Sequence, residues 1–162
     1  MDSKFGLTHV TLKCNDFEKM FAFYRDVMGF EVAFTLPFTA AMAAQYGAKE
    51  GDPWLAYFKI APGQFVELFN QKYDAQIQIP NYSFMHYAVM VDDIAKAARH
   101  YEKCGLTLWA GPKFANNPYT QPYPANRVGA CGSYAFYIQD PEGNEIEVMQ
   151  YTDQSLQVTT RV

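Results

Sequence analysis

The chain has 162 residues, enough for one domain with a full core or for two small modules sharing one. Hydrophobic residues make up 49% and aromatic residues 17%, which excludes a disordered chain. A formal net charge of −4 offers no general attraction to nucleic acid or an anionic membrane, so the expected partner is a small molecule or another protein.

Cys14, Cys104 and Cys131 are odd in number, widely spaced and in no Cys-x-x-Cys pair, so neither a disulfide framework nor a structural zinc knuckle is suggested. Free thiols fit a reducing cytoplasm. The opening Met-Asp-Ser-Lys-Phe-Gly lacks the basic-then-apolar layout of a signal peptide, and no run approaches the ~20 apolar residues that span a bilayer. A cytoplasmic protein is therefore expected.

Residues 7–12 read as a strand whose alternation puts Val10 and Leu12 on one face and Leu7, His9 and Thr11 on the other. Asn15 or Asp16 can cap a helix carrying Phe17, Met20, Phe21, Tyr24, Val27 and Met28 at helical spacing, with Gly29 as its stop. A second strand is expected at 30–36. A loop follows over 37–53, with a short helical turn at the Ala-rich 40–44, before strands at 54–60 and 64–69 joined at Pro62-Gly63. After a loop at 71–82 the order begins again. Residues 84–91 form a strand with His86, Ala88 and Met90 on one face. Asp92 or Asp93 caps a helix carrying Ile94, Ala97, Ala98 and Tyr101, which Gly105 stops. Strands are expected at 106–110, 133–139 and 144–150, the last two joined by the turn Asp140-Pro141-Glu142-Gly143.

Subtraction brings out an internal repeat. His9 and His86 differ by 77 (86 − 9), and the same offset matches Asp16 with Asp93, Phe17 with Ile94 and Tyr24 with Tyr101. Near the module ends an offset of 80 matches Tyr57 with Tyr137, Gly63 with Gly143 and Glu67 with Glu147. Two copies of one βαβββ module are expected, an α+β chain with module one at 5–70, module two at 83–151 and a loosely held polar tail at 152–162.

A buried strand rarely carries an unpaired acid, yet Glu67 and Glu147 each sit in the middle of an apolar strand. If Val10, Leu12, Val66, Leu68, Val89, Val91, Ile146 and Val148 bury against the helices, then His9, Glu67, His86 and Glu147 all point to the opposite face. Two imidazoles and two carboxylates together suit a divalent cation at about 2.0 to 2.2 Å from each ligand. Singly, a strand histidine is more often structural and a strand acid more often salt-bridged. The repeated spacing and common parity favour one joint metal site. Glu145 shares the parity of Glu147, but its counterpart is Phe65, so it reads as a rim residue, and His100 reads as solvated.

The pattern Leu-Thr-His-Val, Asp-Phe-Glu-Lys and Phe-Tyr-Arg-Asp-Val-Met-Gly-Phe, with Asp-Pro-Glu-Gly-Asn-Glu-Ile-Glu-Val near the end, resembles the vicinal oxygen chelate superfamily over nearly the whole chain. That superfamily includes glyoxalase I, extradiol dioxygenases, methylmalonyl-CoA epimerase, fosfomycin-resistance enzymes and metal-free bleomycin-binding proteins. The resemblance implies paired βαβββ modules forming a cup-shaped mixed sheet around a divalent metal. It also implies a ligand set of His9, Glu67, His86 and Glu147, with Ni, Zn, Fe, Mn and Co all acceptable to imidazole and carboxylate. Such a set is most like that of glyoxalase I, or lactoylglutathione lyase. An Fe(II) extradiol-type dioxygenase, and a non-catalytic resistance-type binding protein, are the alternatives.

By that likeness the metal binds two vicinal substrate oxygens, Glu147 is the base that takes the proton between them, and Glu67 is a ligand or second proton carrier. Bacterial glyoxalase I enzymes usually have an Arg and an Asn holding glutathione where this chain has Lys13 and Gln71, with Asn70 adjacent. Lysine keeps the charge without the planar fork. The stretch 112–132 is longer than a hairpin connection needs and carries Tyr119, Tyr123 and Arg127, which makes it a candidate substrate lid. A homodimer is expected, the modules pairing within one chain or across two.

Overall fold

Each half of the chain is built from the same run of local signals. The computed structural model describes residues 6–73, 84–111, 118–119, 123 and 128–159. The chain divides into two compact units, Met1–Ile79 and Pro80–Val162.

In the first unit, strand β1 (His9–Lys13) leads to helix α1 (Phe17–Ala22), capped by Asp16, whose carboxylate accepts the Lys19 backbone N–H at 3.0 Å. The helix runs on through a wider π-helical turn, Phe23–Val27, closed where the Met28 N–H donates to the Phe23 carbonyl. Strand β2 (Glu31–Pro37), helix α2 (Ala40–Tyr46), and strands β3 (Pro53–Ala61) and β4 (Gln64–Phe69) follow. The sheet order is β1-β4-β3-β2, with β1 parallel to β4 and the other pairs antiparallel. Phe17, Met20, Tyr24, Phe58, Val66 and Leu68 are all buried, and the Tyr24 and Phe58 rings meet at 5.8 Å. Their burial fixes the side of the sheet that faces α1 and leaves the opposite parity for polar side chains.

The second unit repeats the plan, with three strands among the described residues. Strand β5 (His86–Met90) precedes helix α3 (Ile94–Lys103), where Asp93 accepts the Lys96 N–H at 2.8 Å, the same capping contact displaced by 77 residues (93 − 16). Strands β6 (Tyr134–Gln139) and β7 (Glu145–Gln150) complete a sheet of order β5-β7-β6, with β5 parallel to β7. Tyr101 of α3 packs on Phe136, and Ile138, Ile146 and Val148 are fully buried. Both units are thus mixed sheets with an intervening helix, as the βαβββ plan requires.

The strand expected at 106–110 shrinks to one residue. Trp109 exchanges backbone hydrogen bonds with Tyr137, both at 2.9 Å, and bridges to Pro118. Leu106, three residues earlier, is not free for a ladder, because its N–H donates to the Tyr101 carbonyl at the end of α3. The hairpin glycines are as expected: Gly63 and Gly143 take φ of 73° and 87°, a turn conformation that costs other residues strain.

The segment after β7 is held rather than loose. Ser155 is fully buried beside Ser133, their hydroxyls 2.9 Å apart, and Thr152 Oγ1 donates to the Gly132 carbonyl at 2.7 Å. A short helix, α4 (Leu156–Thr159), ends the described chain. Cys14, Cys104 and Cys131 are free thiols, and among the described residues no helix is long and apolar enough to cross a membrane.

Candidate metal site

In the first unit the β1–β4 register pairs Thr11 with Glu67 and His9 with Phe65, so His9, Thr11 and Glu67 share the face away from α1. His9 Nε2 lies 3.8 Å from Glu67 Oε2, and its Nδ1 is 3.1 Å from the Thr8 hydroxyl. Glu67 is only 7% exposed, a position that disfavours a carboxylate unless donors meet it. Thr11 Oγ1 donates to Oε2 at 2.6 Å. Tyr57 stands directly opposite Glu67 across β3 and β4. Its phenol is pushed above the ordinary tyrosine range, first by burial and then by its hydrogen bond to Glu67 and that group's charge.

The second unit presents the same three side chains. The β5–β7 register pairs Ala88 with Glu147, and His86 Nε2 lies 3.3 Å from Glu147 Oε2. Tyr137 faces Glu147 across β6 and β7. Burial, then the Glu147 charge and a hydrogen bond to it, hold the Tyr137 phenol well above its usual range. In both units the histidine ring meets the tyrosine ring edge-on, at 5.6 Å for His9 and Tyr57 and 5.1 Å for His86 and Tyr137.

The spacing inside each His–Glu pair can be compared with that of two ligands on one divalent cation. Two ligands about 2.1 Å from one ion at right-angle to tetrahedral spacing lie about 3.0 to 3.4 Å apart. The His86–Glu147 pair falls in that range at 3.3 Å, and the His9–Glu67 pair is slightly wider at 3.8 Å. The buried His86 Nδ1 has no hydrogen-bond partner among the described residues. Each unit presents one His–Glu pair, and among the described residues no group of three or more His, Cys, Asp or Glu side chains is assembled that could hold an ion.

The remaining expected residues scatter. Lys13 is exposed at the end of β1, on the same face as His9 and Thr11. Asn70 donates its side-chain amide to the Pro53 carbonyl at 2.9 Å, so it ties β3 to β4. Gln71 is half-buried, its N–H donating to the Phe69 carbonyl. Tyr123 is buried, donates its hydroxyl to the Ala135 carbonyl at 3.2 Å, and packs on Phe136 and Tyr119. Phe136 meets Tyr101 of α3, so that cluster lies on the helix side of the sheet, opposite to Glu147. Arg127 lies outside the described residues. His100 is exposed on α3 and packs on Tyr101, and Glu145 is half-buried beside His86 in the register.

Tyr57, Tyr137 and Thr11 were not expected as site residues. The two tyrosines carried a signal, since they obey the same offset of 80 as the glutamates (137 − 57 and 147 − 67). Thr11 had only its strand parity.

Two mixed-sheet units, each presenting a His–Glu pair from adjacent parallel strands, define a vicinal oxygen chelate type of protein. The chain belongs to the Glyoxalase/Bleomycin resistance protein/Dioxygenase superfamily, whose model matches residues 6–148. Among solved structures it is similar to the oxidase ChaP-H2 at 18% identity and TM-score 0.62, covering 93% of this chain and 96% of that one. It is also similar to lactoylglutathione lyase from Agrobacterium tumefaciens, at 23% identity and TM-score 0.53 with 90% and 92% covered. The fosfomycin resistance protein FosX from Listeria monocytogenes aligns at 16% identity and TM-score 0.57, with 94% and 98% covered. At these identities the likeness concerns the fold alone. No curated protein matches the chain.

Proposed function

We propose that the chain is a metal-dependent lyase or isomerase, most like lactoylglutathione lyase, that enolises a substrate carrying two vicinal oxygens. The observation that carries this reading is the recurrence of one His–Glu–Tyr arrangement at equivalent register positions of both units. A divalent cation held by His9, Glu67, His86 and Glu147, from one chain or from two copies in a homodimer, would polarise both substrate oxygens and acidify the C–H between them. Glu147 takes that proton and gives it back at the neighbouring carbon, and Glu67 remains a ligand or serves as a second proton carrier. His9 and His86 stay fixed, each ring braced against a tyrosine. Lys13, on the His9 face, is placed to meet an anionic end of the substrate as a point charge.

Protein purified without an affinity tag should carry or take up close to one divalent ion per ligand set. No ion after reconstitution with Ni, Zn, Fe, Mn and Co would sink the reading and favour a binding protein. Glu147→Gln should keep the fold and the far-ultraviolet spectrum yet abolish isomerisation of the methylglyoxal–glutathione adduct.

A second reading has one observation in its favour. Phe34, 45% exposed, stacks on Tyr57 at 4.5 Å on the sheet face that carries Glu67, a shelf suited to a planar aromatic ring. Ring cleavage by an Fe(II) site would show as oxygen uptake with catechols and none with the methylglyoxal adduct.

A further inference from the structure

Strand β2 changes register part-way along β3. Glu31 pairs with Lys59 and Val32 with Phe58, but the next pairs are Phe34 with Tyr57, Thr35 with Ala56 and Leu36 with Leu55, so Ala33 bulges out of the ladder. An unbroken register would set Ala33 opposite Tyr57 and turn Phe34 and Leu36 to the face of the fully buried Ala56 and Phe58. One extra residue therefore carries both large apolar side chains to the face of Glu67, since Tyr57 pairs with Glu67 and Leu55 with Phe69.

Hydrophobic burial gives no reason to open these two side chains to water, yet Phe34 is 45% and Leu36 44% exposed. Phe34 is ordered from one side, its ring lying on that of Tyr57 with centroids 4.5 Å apart and planes 17° from parallel. The other side of the ring is the exposed one. In the second unit the half-buried Trp109 holds the matching place opposite Tyr137, but its outer edge is taken by Pro118, whereas β2 is the last strand of its sheet.

The same face carries a cation. Lys13 is exposed and stands in one cross-strand row with Phe69, Leu55 and Leu36, three strand spacings or roughly 14 Å from Leu36. The lysine stem closes part of that distance, and a two-ring aromatic acid spans the rest. Lys59, on the same face, is already paired with Glu31 at 3.7 Å.

We propose that the bulge at Ala33 makes Phe34 a specificity-determining residue, an aromatic shelf for a ligand with a flat two-ring system and an anionic group, its rings stacked on Phe34 beside Leu36 and its anion meeting Lys13. This inference deepens the reading above by naming the class of substrate, and takes from it only that the Glu67 face meets that substrate. Stacking and charge pairing need no cation and no bond change, so the shelf can be tested on the metal-free chain.

The probe is 2-naphthoate, with decalin-2-carboxylate as the saturated acid and 2-naphthamide as the uncharged ring, each titrated into the metal-free full chain and followed by amide shifts in nuclear magnetic resonance, with circular dichroism as a check on folding. The wild type should bind naphthoate about threefold to tenfold more tightly than the saturated acid, the scale of one aromatic stack, with the shifts centred on β2 and β3. Phe34→Ala should bring that ratio to about one, and Phe34→Trp should keep it. The double variant Ala33→Phe with Phe34→Ala returns a ring to the bulged position and should not restore the ratio. Lys13→Gln should remove a preference of about twofold to fivefold for naphthoate over naphthamide. A wild-type ratio near one, a ratio unchanged in Phe34→Ala, rescue by the double variant, or a charge preference that survives Lys13→Gln overturns the inference and leaves the metal-dependent reading to its own test of ion uptake. Naphthoate selectivity in a chain that takes up no ion sinks the metal-dependent reading and keeps the shelf.

Discussion

Tyr137 stands directly opposite Glu147 across β6 and β7, and the half-buried phenol is held above the ordinary tyrosine range by burial first and by that carboxylate second. The same phenol edge meets the His86 ring at 5.1 Å, so one side chain braces both members of the pair. Tyr137→Phe keeps the ring and removes the donor. We expect the fold and the cation affinity to persist and turnover of the methylglyoxal–glutathione adduct to fall about tenfold, the scale of one hydrogen bond to a charged group. Unchanged kcat and KM would leave the phenol as a packing group only.

The two faces of the first sheet predict opposite sensitivities. Phe58 is fully buried, with Tyr24 at 5.8 Å and Phe21 at 5.1 Å, while Phe34, on the other face, is 45% exposed. Phe58→Ala leaves a large cavity under α1 and should cost about 3 to 5 kcal/mol in urea unfolding. Phe34→Ser loses one stacked pair and should cost about 1 kcal/mol. Equal losses would mean that the exposed shelf contributes to folding as the core does.

Strand parity was legible because Val66 and Leu68 flank Glu67 in β4 as Ile146 and Val148 flank Glu147 in β7, and a one-residue slip would turn each glutamate to the helix side. His9 lies beside Glu67 and His86 beside Glu147 within the respective units. Apolar content over 106–110 does not reveal that the end of α3 uses the Leu106 N–H, which leaves Trp109 as the paired residue in place of a full strand. The segment at 152–159 looked loose because polar side chains read as solvated, whereas Thr152 and Ser155 spend their hydroxyls on the 132–133 turn. Tyr123 read as a lid residue from its Pro- and Asn-rich surroundings, yet its ring packs on Phe136.

Alkaline pH should unfold the second unit through its buried tyrosines. Burial pushes the Tyr101 and Tyr123 phenols each up to about 12, with Cys104 and neighbouring tyrosines adding to it. In the unfolded chain both ionise near their ordinary value of about 10, so the unfolded state releases its protons first. The associated stability is fully present below about pH 10 and is lost as pH rises through about 12. The melting temperature should hold to pH 9 and then fall, and Tyr101→Phe should flatten that fall. Tyrosinate absorbance that develops fully near pH 10 in the folded chain would contradict the burial of these two rings.

Gly132 decides whether the C-terminal segment docks. It has φ of 78°, and a Cβ there would sit 2.6 Å from the Gln154 carbonyl oxygen and 3.0 Å from its carbon, backbone atoms that no side-chain rotation can move. Gly132→Ala adds a left-handed penalty of about 1 to 2 kcal/mol to an overpacking cost of about 1 to 3 kcal/mol. The chain relieves both by releasing the contact, which breaks the hydrogen bonds from Thr152 Oγ1 to the Gly132 carbonyl and from the Leu156 N–H to the Cys131 carbonyl. Amide exchange at Leu156 should therefore quicken by at least about tenfold, with a stability loss of about 2 kcal/mol or more. Gly129→Ala is the matched control, because its Cβ would meet only the Ser133 carbonyl oxygen at 3.6 Å, an ordinary contact. If both variants exchange alike at Leu156, the segment is not held by the close approach at Gly132. If only Gly132→Ala loosens it, this one missing side chain is what lets the segment seat against residues 131–133.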